Sequence, residues 1–75
     1  MTKNQAATRI LATLTALRAT TLEHMDLMGA LNSDTQGEGP GDVPTEAECD
    51  QLAAGTAGEE LATKYAATVE LISMN

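Results

Sequence analysis

The sequence predicts an all-α protein, an antiparallel helical hairpin that pairs with a second copy into a four-helix bundle. Two stripes and one interruption carry the prediction. Apolar residues recur at three- and four-residue spacing through Ala7, Ile10, Leu11, Leu14, Leu17, Leu22, Met25, Met28 and Leu31, and again through Cys49, Leu52, Ala53, Leu61, Tyr65, Val69 and Ile72. That spacing places them on one face of a helix. Between the stripes, residues 32–44 hold three glycines and two prolines and no periodic apolar residue, so they read as an acidic Gly/Pro loop.

The first helix is predicted over residues 3–31. Thr2 followed by Gln5 has the capping-box pattern, in which each side chain satisfies a backbone N–H near the helix start. The second helix is predicted over 45–73, opened by Pro44 and by a second box, Thr45 with Glu48. Acids at Glu46 and Glu48 also suit the positive end of its dipole. Within it, Gly55 and Gly58 leave two outcomes open, because each glycine costs about 1 kcal/mol in a helix interior. Either the helix is continuous with a small-residue face, or Gly55 ends one helix and Thr56, with Glu59 three residues on, opens another.

Composition explains why a second copy is expected. A chain of 75 residues with one aromatic, Tyr65, can build only a thin aliphatic core. Cys49 is the only cysteine and His24 the only histidine, so neither an internal disulfide nor a zinc ligand set is available as a staple. Folding the stripes together places Met28 beside Cys49, Ile10 near Ala67, Arg18 close to Glu59 and Arg9 within reach of Glu70. One hairpin would leave part of its broad stripes wet. Self-association is therefore assigned to Leu11, Leu14, Leu22, Met25, Leu61, Tyr65 and Ile72, in a homodimer.

Function classes narrow on charge. The net charge is −7, with four basic residues against 11 acids, and residues 34–60 hold eight acids and no base. Clustered Lys and Arg, which a phosphate-binding face requires, are missing, so direct nucleic-acid binding is not expected. The longest uncharged stretches, residues 10–17 and 51–58, are far shorter than the roughly 20 residues that cross a bilayer. No membrane association is expected. Residues 1–5 lead into a stretch interrupted by Arg9 and Arg18, which, with one cysteine, predicts a cytoplasmic protein.

Chemistry-bearing constellations are sparse. Glu23 and His24 are adjacent and so point about 100° apart, unlike the Glu-x-x-His of helical di-metal sites. The hairpin register would set Cys49 about one turn from His24, but catalysis would also need an orienting group, oxyanion donors and a concave pocket, and two helices with so few large residues have little material for a cavity. Cys49 is better read as a small buried hydrophobe. The Gly37, Gly39, Gly41 run follows no strand and has acidic neighbours, which would repel phosphate. Residues 60–72 have the cadence of a helix-turn-helix start, with no room after Thr68 for a recognition helix. No catalytic residue, metal site or cofactor is predicted.

What remains is the acidic run. Asp42, Glu46, Glu48, Asp50, Glu59 and Glu60 are assigned as a surface for a protein partner with a basic face. The expected function is that of a non-catalytic interaction protein that modulates or inhibits a larger partner. A nucleic-acid-binding or host-defence complex met by a phage-type inhibitor is the form considered. The alternative is a structural hairpin that assembles with itself, its acids serving only solubility.

Overall fold

The computed structural model describes all of residues 1–75, and it is all-helical. Five helices follow in order: α1 (Lys3–Leu17), α2 (His24–Asp34), α3 (Glu46–Ala54), α4 (Glu59–Lys64) and α5 (Ala66–Ser73). Helix α1 lies against both α2 and α3, α2 carries α5 on its other side, and α4 and α3 each touch α5. The fold measures 30 × 24 × 19 Å. A continuous helix over 3–31 would be about 43 Å long at 1.5 Å per residue, so it could not fit within those dimensions.

The long first helix is thus two. Helix α1 opens as predicted, with both bonds of the Thr2–Gln5 box formed. It stops at Leu17, and Arg18 turns extended at φ −161°, ψ 150°. Two local bonds replace helix continuation. The Thr20 hydroxyl accepts from the Leu22 N–H, and the Asp26 carboxylate accepts from the Glu23 N–H, which starts α2 afresh. Short polar side chains compete with the helix in this way wherever they can reach backbone donors. Leu22, in the segment between the two helices, is still buried, whereas its stripe neighbours Leu17 and Met25 are exposed.

The predicted second helix is three. The Thr45–Glu48 box forms and begins α3. Gly55 then adopts φ 75°, and Thr56 N–H reaches back to the Gln51 carbonyl. That six-to-one bond with a left-handed glycine is a Schellman ending. Thr56, which one of the two open outcomes made the next cap, is not used as one, since α4 begins at Glu59 with Gly58 as its cap. A further bend at Tyr65 separates α4 from α5.

The core is closed within one copy. Ala6, Ala7, Ile10, Leu14, Leu27, Leu31, Cys49 and Tyr65 are wholly buried, with Leu22, Val43, Leu52, Ala53 and Ile72 nearly so. Four of the seven residues assigned to self-association, Leu14, Leu22, Tyr65 and Ile72, are therefore spent inside the monomer. Leu11 and Leu61 are half-buried against the same core, and only Met25, 70% exposed, is free. The hairpin register also differs. Arg9 bonds to α3 instead of Glu70, and Arg18 donates to the Ile72 carbonyl instead of pairing with Glu59.

Helix α5 is held by charges from two distant segments. At its start, Asp34 accepts from the N–H groups of Ala67 and Thr68 at 2.8 and 2.9 Å and from the Thr68 hydroxyl at 2.7 Å. At its end, the Arg18 guanidinium donates to the Ile72 carbonyl at 2.6 Å. Anion at the N-terminus and cation at the C-terminus is the arrangement the helix dipole favours. An eight-residue helix without a side-chain cap of its own needs such help.

Candidate interaction surface

Charge on this molecule is sorted by whether it has an internal partner. All four basic side chains do. Arg9 grips Asp50 through two bonds, Nε to Oδ1 at 3.0 Å and Nη2 to Oδ2 at 2.8 Å, and reaches Glu46 at 2.8 Å through Nη1. Lys3, nearly buried, donates to the Asn32 side chain at 3.2 Å. Arg18 is fixed on Ile72, and Lys64 lies 5.5 Å from the centroid of the Tyr65 ring.

The acids divide. Glu46 and Asp50, both assigned to the partner surface, face Arg9, with Asp50 further bonded by Thr13 at 3.4 Å. The Arg9 hydrogen bond holds the Asp50 carboxyl below its usual range, and the same bond raises Arg9. Glu48 is occupied in capping α3, and Asp34 in capping α5. The Asp42 carboxylate packs beside Gly37 and Gly39, where its Oδ2 would lie 3.0 Å from a Cβ placed on Gly37. Glu59 and Glu60 are exposed and make no ion pair or side-chain hydrogen bond, as are Glu38 and Glu70. Of the six acids assigned to the surface, Glu59 and Glu60 are thus the ones wholly available, with Asp42 exposed beside them in character. Glu38, a member of the same acidic run, joins this set on exposure, as does Glu70, which lies outside that run.

The residues that could have carried chemistry each contact backbone carbonyls. The Cys49 thiol is buried and points to the carbonyls of Ala6 and Pro44 at 3.8 Å. Burial, reinforced by the neighbouring Asp50, pushes it up to about 11, so the thiolate is scarce near neutral pH. The His24 ring sits 3.3 Å from the Asn4 carbonyl, on the start of α1. No three His, Cys, Asp or Glu side chains converge as a metal site would require.

Family models, curated proteins and solved structures offer no match to this chain. The physical arrangement of the side chains is therefore what bears on its role. No helix is long and apolar enough to cross a membrane.

One polar atom at the centre of the fold has no partner. The Tyr65 hydroxyl is fully buried without a hydrogen bond, and burial pushes its pKa up to about 12. An unsatisfied buried hydroxyl costs about 1 to 3 kcal/mol, while the ring packs as any aromatic does. Tyr65→Phe is expected to raise stability by about 1 kcal/mol in chemical denaturation. A loss of that size would mean that the hydroxyl has a partner in solution.

Proposed function

We propose that this chain is a non-catalytic binding protein that presents carboxylates to the basic surface of a larger protein. One observation supports it above the rest: Glu38, Glu59, Glu60 and Glu70 are exposed and make no internal ion pair or side-chain hydrogen bond, whereas Arg9 is ion-paired to Glu46 and Asp50. The net charge of −7 makes the field negative on balance, with the exposed Arg18 and Lys64 as local positive points. Such a field speeds encounter with basic surfaces and disfavours acidic ones. A basic face made for nucleic-acid phosphates is the natural counterpart, and occupying it would inhibit or modulate its owner. A host-defence complex is one member of that class.

Self-assembly as a structural hairpin is the second reading, and its means are limited. The large apolar side chains left exposed are four, Met1 and Leu17 along one face of α1 and Met25 and Met74 beside the space between α2 and α5.

The test is charge reversal where the fold does not depend on the acid. Glu46, Glu48 and Asp50 are unsuitable, because reversing them would break the Arg9 cluster and the α3 cap. Glu38→Lys, Glu59→Lys and Glu60→Lys together leave every internal bond in place. Immobilised wild-type protein is expected to retain a basic protein that elutes with salt, and the triple variant to lose it while keeping its helical circular dichroism. Equal retention by the variant, or no salt-sensitive basic protein at all, would refute the proposal.

A further inference from the structure

Helices α2 and α5 leave an open groove between them, distinct from the exposed acids of α4 and the loop. Along α2 it is lined by Met25, Gly29 and Ser33, spaced four residues apart, and along α5 by Ala67 and Leu71, with Met74 just beyond. Residues at that spacing stack along one line of a helix, so the groove runs parallel to both. From Met25 to Ser33 it extends about 12 Å, or roughly two turns of an incoming helix. Small side chains keep it open: a Cβ added to Gly29 would meet no atom within 4 Å. Met25 and Met74 are 70% and 77% exposed. Methionine is flexible and polarizable, so such borders can mould to an apolar insert.

Charge decides the occupant. The two ionised side chains lining the groove, Asp26 and Glu70, are both acids, and no base lines it. A second copy docked here about a two-fold axis would bring acids against acids, in a molecule already at −7. An incoming helix with an apolar ridge flanked by Lys or Arg would bury the ridge and pair with both carboxylates. We infer that the α2–α5 groove is the docking site for a basic amphipathic helix of the partner protein. This rests on the proposed function and adds to it a location and the secondary structure that the partner contributes.

The experiment uses a synthetic Leu/Lys peptide with leucines at i, i+3, i+4 and i+7, titrated into the isotope-labelled full chain and followed by NMR. A peptide of equal composition with scattered leucines is the control. Expected are saturable shifts confined to the groove, in the Met25 and Met74 methyls and the Gly29, Ser33 and Ala67 amides. Affinity should fall at least about tenfold with Gly29→Leu, which fills the groove from an open position, and with Glu70→Lys. Both variants should keep the wild-type dispersion of resonances. Shifts centred on Glu38, Glu59 and Glu60 with a silent groove would overturn the inference while leaving the acidic-surface proposal standing. Equal binding of the scattered control, insensitivity to Gly29→Leu, no binding of the patterned peptide, or a dimer formed through this groove would each overturn it too. Failure of the charge-reversal test above, by contrast, removes the proposed function itself.

Discussion

Leu14→Ala is expected to lower the stability of the isolated chain by about 3 kcal/mol, with a thermal midpoint that falls by more than about 10 °C. Leu14 is wholly buried in the cluster where α1 meets α2 and α3, so the lost methyl groups leave a cavity that short helices fill poorly. A 75-residue domain has only about 4 to 11 kcal/mol in total, so the loss is about a quarter to three quarters of the whole. The same residue on a dimer seam would behave differently. Its truncation would then dissociate the pair, and the midpoint would depend on protein concentration. Circular dichroism melts at two widely separated concentrations distinguish these cases, and a coincident fall at both is the expected outcome. The exposed Leu17→Ala, on the same helix, should shift the midpoint by far less.

Asp34→Ala is expected to cost a similar amount, about 3 kcal/mol, through hydrogen bonds instead of packing. It removes one carboxylate from three donors at once, the N–H groups of Ala67 and Thr68 and the Thr68 hydroxyl. Thr68 is fully buried, so its donors have no ready access to water when the carboxylate goes. Bonds to a charged acceptor contribute about 1.5 to 3 kcal/mol each, and they are not additive when one group makes all three. Asp34→Asn keeps an acceptor and should lose about half as much. Hydrogen exchange localises the effect: α5 amides should lose protection before those of α1. Glu60→Ala supplies the control, because Glu60 has no internal partner and its removal should leave stability unchanged or slightly raised in so acidic a chain.

These two residues show where the sequence is legible and where it stops. Local signals survive translation into structure. The Thr2–Gln5 and Thr45–Glu48 boxes need only four residues each, and both form. Gly55 presented two options that only its backbone angle could separate, and φ 75° settles them as a helix end. The helical stripes were legible too, in the sense that most of their members are buried. Periodicity identifies which side of the chain faces the core, but it carries no information on whether the chain continues straight. Leu22 satisfies the stripe equally well from an extended segment, so the break after Leu17 was hidden.

Long-range bonds were hidden for a different reason. Asp34 and Thr68 are 34 positions apart, and Arg18 and Ile72 are 54 apart, so no local pattern links them. A hint existed in the start of α5, where Lys64, Tyr65 and Ala66 offer no capping side chain. A helix start without a local cap requires an acceptor from elsewhere. The assignment of Asp50 and Glu46 to a partner surface failed to anticipate Arg9 for the same reason. The true register places α1 against α3, whereas the hairpin register placed Arg9 opposite Glu70.

Most of the large aliphatic side chains are enclosed by a single copy, and only Met1, Leu17, Met25 and Met74 stand exposed. Sedimentation velocity over a wide concentration range tests that most directly. A single species of 7.8 kDa at every concentration is the predicted result. A stable species of twice that mass, persisting on dilution and dispersed by Leu14→Ala without loss of helix, would contradict it.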